Sequence, residues 1–266
     1  MTAAVQRSDR LPAPAASAVA AAGQITDDAA RVAATETLPT GAALARGRGA
    51  VAIGIAGVVG FLAIFGFVRT HRSEALDIAL MLRLQRHRAP LLDRAMAAAS
   101  WPGFPPQSRI IPPVLIATMW LLKFRVEAAF QLLGWGTGGL STVVKALMRR
   151  PRPVAGTDLR VVAAPLGGSS FPSGHVITYV GTYGFLAYLV HTLLRPRALR
   201  RAIVGGLLAL VALVGPSRIH QGHHWPTDVT ASYLLGTSYL VALVAGYRRA
   251  KAAFGRREDV ARHTRR

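Results

Sequence analysis

Apolar residues in this chain gather into long runs, separated by short basic or Gly/Pro-rich breaks, with little of the polar face that a soluble helix keeps. Six runs approach the ~20 residues a helix needs to cross about 30 Å of hydrocarbon. They cover residues 50–68, 109–122, 128–148, 173–194, 202–216 and 229–247. The second and fifth are short, and Pro112 and Pro113 interrupt the second. The pattern predicts an all-α polytopic membrane bundle with six transmembrane helices, occupying residues 50–247. Residues 1–49, rich in Ala, Thr and Pro without a sustained helical period, are expected to form a mobile tail. They lack the basic-then-apolar order of a cleavable signal peptide, so the first run reads as a retained anchor. Residues 248–266 read as a basic tail. Between the first two runs, "ALDIALMLRLQRHRAPLLDRAMAAAS" mixes apolar and basic positions. It predicts an interfacial amphipathic helix broken at Pro90, its basic side chains reaching toward headgroups.

Charge adds orientation. The chain carries 32 Lys and Arg against 12 Asp and Glu, a net charge of +20. These basic residues fall in short clusters between apolar runs, such as "RPRALRR", and not in one aromatic-interleaved patch. That distribution suits loops lying against anionic lipid headgroups and argues against nucleic acid as a partner. Six crossings place both termini on one side, which holds the larger share of Lys and Arg and is therefore expected to be cytoplasmic. The loops after the third and fifth runs then share the opposite face. With no cysteine, disulfides, thiolate catalysis and Cys-ligated zinc are excluded.

Nearly all the candidate chemistry falls in those two loops, in three blocks: "KALMRRPRP", "FPSGH" and "SRIHQGHHWPTD". Pro226 suits the first position of a helix, which puts Asp228 third, where the positive end of the helix dipole favours a carboxylate. Helix capping alone explains that much. His224, four residues earlier, is placed to donate its Nδ1 proton to Asp228 and keep Nε2 free as a nucleophile. His220, His223, His224 and Asp228 also offer metal-ligand types, but adjacent histidines rarely converge on one ion and no zinc spacing is matched. Ser173 suits a helix cap, and the Gly/Ser turn before it supplies backbone N–H groups suited to an anion or to nothing more than a cap. Lys145, Arg149 and Arg150 read as snorkelling flank residues. Cations gathered on the non-cytoplasmic face nonetheless ask for another anion, and a phosphoryl group fits guanidinium geometry.

In order and spacing the blocks resemble the type 2 phosphatidic acid phosphatase (PAP2) and vanadium haloperoxidase superfamily, on its membrane-bound lipid phosphatase branch. The family pattern K-x6-R-P is met by Lys145, Arg152 and Pro153. P-S-G-H is met by Pro172, Ser173, Gly174 and His175, and S-R-x5-H-x3-D by Ser217, Arg218, His224 and Asp228. The resemblance implies hydrolysis of a terminal phosphate monoester or diphosphate on a lipid, without metal or other cofactor, through a phosphohistidine. It assigns His224 as nucleophile, Asp228 as its orienting carboxylate and His175 as acid to the leaving alcohol. Lys145, Arg152, Arg218, Ser173 and Gly174 would hold the phosphate. A lipid phosphotransferase would use the same intermediate. Phosphatidate, phosphatidylglycerol phosphate, polyprenyl diphosphate and phosphorylated lipid A all fit the expected partner, a lipid phosphate. The implied location is the cell's inner membrane, with the site facing the extracytoplasmic side.

Overall fold

All six apolar runs fall on helices, though run length and helix length do not follow one another. A computed structural model describes residues 13–35, 40–87, 89–155, 158–164 and 166–263, and among them all regular structure is helical. The order is α1 (Ala13–Thr35), α2 (Thr40–Arg69), α3 (Glu74–Gln85), α4 (Pro90–Ser100), α5 (Gln107–Leu121), α6 (Arg125–Trp135), α7 (Thr137–Leu147), α8 (Gly174–Tyr179), α9 (Phe185–Leu193), α10 (Arg197–His220) and α11 (Pro226–His263). A π-helical turn, Val180–Gly184, joins α8 and α9 into one rod.

Four segments are long and apolar enough to cross a membrane: Gly47–Arg69, Gly174–Leu193, Arg197–His220 and Pro226–Phe254. They match the first, fourth, fifth and sixth predicted runs, and the fifth proves longer than its apolar stretch because a basic first turn, from Arg197, is helical too. The second and third runs differ from expectation. Helix α5 holds 15 residues, about 22 Å at 1.5 Å per residue, and accommodates Pro112 and Pro113. The third run is two 11-residue helices, α6 and α7, meeting at Gly136.

The α8–α9 rod is the axis of the bundle. Two thirds of its most apolar stretch is buried inside the protein, against 17–33% for the other three spans, whose remaining surface is left to lipid. Val176, Tyr179 and Val180 pack against Val214 and Ile219 of α10 and Val229 of α11, and Met81 brings α3 into the same cluster. Helix α2 lies along α11, where Ser238 Oγ donates to the Gly54 carbonyl at 2.9 Å and Phe61 and Phe65 meet Phe171.

The stretch between the first two runs is helical and breaks at Pro90, with α3 ending before it and α4 starting on it, but α3 is not amphipathic: Asp77 and Gln85 are buried while Leu76, Leu80 and Leu84 are exposed. At both termini the described residues of the expected tails are helical. Of the expected N-terminal tail, residues 13–35 form α1, whose Ala29 and Val32 pack on the cluster around Phe185 and Leu189. Its helix propensity is mostly alanine's, and its packed face is a sparse one, Ile25, Ala29 and Val32, among small residues. Residues 1–12 and 36–39 of that tail lie outside the described residues. At the other end α11 continues to His263, so no structural break marks the start of the basic tail at residue 248.

Candidate active site

The three blocks meet at one end of the α8–α9 rod. Lys145 comes from the last turn of α7, Arg152 from the irregular segment after it, Ser173, Gly174 and His175 from the start of α8, Arg218 from the last turn of α10, and Asp228 from the first turn of α11. His224 sits in the tight connection between α10 and α11. Gly222 makes that turn possible: its φ is +76°, and a Cβ there would lie 2.2 Å from the Arg160 carbonyl oxygen. A cavity of about 350 Å³ has Lys145, Arg152, Gly174, His175 and His224 in its walls. A larger open groove beside Arg83 and Arg86 contains none of the motif residues. Ser173, Arg218 and Asp228, each fully buried, stand behind the cavity wall.

His224 is held differently from the expected carboxylate pair. Its Nδ1 lies 2.8 Å from the main-chain oxygen of Ser170 and 3.7 Å from Asp228 Oδ2. A carbonyl oxygen only accepts, so the ring proton is on Nδ1 and Nε2 carries the lone pair. Arg152 Nη1 donates toward that Nε2 at 3.3 Å and to the His223 carbonyl at 2.8 Å. Burial is the main reason the His224 pKa drops to about 3, with Arg218 and Arg152 adding to the depression and Asp228 opposing it. The ring is therefore neutral across the physiological range.

Asp228 spends its oxygens elsewhere. Oδ1 takes a 2.6 Å ion pair from Arg150, and Oδ2 accepts from the Ser170 hydroxyl and from the Trp225 N–H at 2.9 Å. The carboxylate thus reaches His224 chiefly through Ser170, whose hydroxyl it fixes and whose carbonyl holds the ring.

The phosphate-binding candidates are cations short of anions. Lys145 Nζ donates to the Ser169 carbonyl at 2.8 Å. Arg152 uses Nη2 on the Gly167 carbonyl at 3.2 Å, and among the described residues its Nε has no partner. Burial, offset in part by Asp228, lowers its pKa. Arg218 donates from Nη1 to Ser100 Oγ at 3.3 Å and Gln221 Oε1 at 3.2 Å and stacks 4.8 Å from the centre of the Phe104 ring. Its Nε and Nη2 have no partner among the described residues.

Phe104 also meets the His175 ring at 4.8 Å, and the backbone at Gly103 approaches so closely that a Cβ there would lie 2.2 Å from His175 Cδ2. His175 Nε2 is buried without a partner among the described residues. Ser173 occupies the cap position of α8 but makes no side-chain cap bond. Its N–H, expected to serve an anion, donates to Ser232 Oγ at 2.7 Å.

The remaining histidines diverge. His220 Nε2 is 2.7 Å from Asp93, which Arg160 also holds with two hydrogen bonds; those bonds, Arg160's first, bring the Asp93 pKa down to about 2. His223 Nε2 donates to the Val162 carbonyl at 2.7 Å, and burial, then Arg218, lowers its pKa to about 4. Sequence reasoning misses Arg150, read as a flank residue, and Asp77 of α3. The guanidinium bridges Asp77 and Asp228 at 2.6 Å each; both acids are buried and the arginine is largely so. The available signal was an acid inside the apolar run "ALDIAL" of a chain with few acids.

Comparison with known proteins places this arrangement. The family model of the PAP2 superfamily matches residues 128–252. Phosphatidylglycerophosphatase B of Bacillus subtilis (strain 168) is 31% identical over 196 residues, which cover 70% of this chain and 90% of that protein. The crystal structure of the first transmembrane PAP2 type phosphatidylglycerolphosphate phosphatase from Bacillus subtilis superposes with a TM-score of 0.63 at 23% identity, over 72% of this chain and 94% of that one. Aquifex aeolicus LpxE gives 0.50 at 22%, over 64% and 95%. At those identities the two structures speak for the fold, whereas the sequence relative carries the family. The chain belongs to the PAP2 superfamily and is a membrane lipid phosphatase of that type.

Proposed function

We propose that this phosphatase removes the terminal phosphate from a lipid headgroup through a phosphohistidine on His224, with no metal. The observation that carries the reading is the tautomer of His224. Its proton is held by a main-chain oxygen, so Nε2 presents a lone pair to a cavity walled by Lys145 and Arg152 and backed by Arg218. In the first half-reaction Nε2 forms the N–P bond as the ester P–O bond breaks in line with it. His175 gives its proton to the departing oxygen. Lys145, Arg152 and Arg218 offset charge on the equatorial oxygens, the largest contribution in such transfers. In the second, His175 takes a proton from water, whose oxygen bonds to phosphorus as the N–P bond breaks, releasing phosphate and the neutral His224 ring.

The substrate we propose is phosphatidylglycerol phosphate, following the activity named for the Bacillus subtilis relative. We also propose six crossings, with α5 as the second and α6–α7 as the third, and a site facing the extracytoplasmic side. The absence of native cysteine makes that side testable: a cysteine replacing exposed Val154 should react with an impermeant maleimide added to intact cells.

Purified full-length protein should release phosphate from phosphatidylglycerol phosphate in mixed micelles, and should keep doing so after EDTA treatment. Radiolabelled substrate should leave acid-labile phosphohistidine on the wild type and none on His224→Asn. Activity restored only by a divalent metal, or label retained by His224→Asn, would overturn the reading.

A further inference from the structure

Arg150 belongs to no motif position, yet its guanidinium is the most fully engaged cation at the site. Nη1 lies 2.6 Å from Asp228 Oδ1 and donates to Thr227 Oγ1 at 2.8 Å. Nη2 lies 2.6 Å from Asp77 Oδ2 and donates to Ser73 Oγ at 3.1 Å. Asp77 in turn accepts the Thr227 N–H on Oδ1 and the Thr227 hydroxyl on Oδ2, both at 2.8 Å. The first turn of α11 is thereby bound from outside by a carboxylate on α3, some 150 residues earlier in the chain.

A guanidinium between two carboxylates carries one net negative charge. That charge lies beside the imidazole that must become cationic when Nε2 bonds to phosphorus, with Asp228 Oδ2 3.7 Å from His224 Nδ1. If Arg150 met Asp228 alone, the pair would be neutral overall and would offer the ring only the weaker field of a dipole. The second carboxylate restores the net charge, and the planar fork fixes both acids in one geometry, which a lysine ammonium does not do.

We propose that Asp77 and Arg150 are positioning residues which form one anionic cluster with Asp228 and act through it on His224. They offset the positive charge of the phosphorylated ring and touch no substrate. The inference rests on the reading of His224 as the nucleophile.

Asp77→Asn is the decisive variant, because an asparagine oxygen still accepts the Thr227 N–H while the cluster loses its net charge. With phosphatidylglycerol phosphate in mixed micelles, kcat should fall about 10–100-fold, the worth of a charged interaction with the developing cation, with KM unchanged. Arg150→Lys keeps that charge and loses only the planar fork, so it should lower kcat through misplacement of the two acids, and it carries the positioning half of the test if Asp77→Asn does not fold. In an Asp228→Asn background, Asp77→Asn should cost nothing further, since residues acting as a unit are not additive. A folded Asp77→Asn enzyme with wild-type kcat, fully multiplicative losses in the double variant, or a raised KM with intact kcat would each overturn the proposal. Phosphohistidine trapping separates the two levels. If the wild type traps no label, the nucleophile reading is at fault. If wild type and Asp77→Asn trap it at equal rates, only the cluster proposal falls.

Discussion

Arg150 and Arg218 are both guanidiniums withdrawn from water at the same end of the bundle, and the fold surrounds them in opposite ways. Arg150 has two carboxylates at 2.6 Å and a hydroxyl on each fork nitrogen. Arg218, fully buried, has one serine hydroxyl, one amide oxygen and the face of Phe104, and among the described residues no acid pairs with it. A buried charge without an anion is costly to keep. The first arginine is compensated by the protein itself. The second is left to be compensated by what the cavity receives, as are Lys145 and Arg152 in its walls.

The comparison breaks most sharply at Arg218. Arg218→Met should lower kcat by ~10³–10⁵-fold, the range for an arginine that stabilises a phosphoryl-transfer transition state. Its melting temperature in detergent should change little, because a buried charge is removed while only the Ser100 hydroxyl and the Gln221 amide oxygen lose a donor. A melting loss instead would put Arg218 in the scaffold. Arg150→Met should behave in reverse, with stability as the first casualty. Stranding Asp77 and Asp228 should cost about 3–5 kcal/mol, read from chemical or thermal unfolding. A well-folded Arg150→Met protein would mean that the two acids find other partners.

The smallest effect sharpens the electrostatic side of the same contrast. The uncompensated cations help hold His224 at about 3 and His223 at about 4, below the 6.5 of a free imidazole. Between 6.5 and those values the unfolded chain binds protons that the folded chain refuses. Stability therefore falls as pH drops through that window and is flat above it. His223→Gln, which keeps a donor for the Val162 carbonyl, should make the melting temperature less pH-dependent below neutrality. An unchanged slope would show that this ring titrates as if exposed.

Much of this site is legible before any coordinates, for a definable reason. Lys145, Arg152, His175, His224 and Asp228 stand out because three blocks recur in the order and spacing of the family pattern; singly, a helix cap or a snorkelling flank explains Asp228 or Lys145. The four long spans are legible because hydrocarbon thickness sets a run length. What the sequence hides is pairing across distance. Asp77 and Arg150 are both visible, but nothing local says that α3 docks on the first turn of α11. Helix α1 packs through a sparse stripe of Ile25, Ala29 and Val32 among alanines, and α6 gives way to α7 at Gly136 inside one continuous apolar run. The Ser170 carbonyl is hidden more deeply, since every residue has one.

That carbonyl sets a limit on what side-chain replacement can reveal. The proton that leaves His224 ready to react is moored to the main chain, so an alanine scan passes over its acceptor without a trace. Only an edit of the backbone, an ester in place of the amide after Ser170, would weaken that mooring while leaving every side chain as it stands.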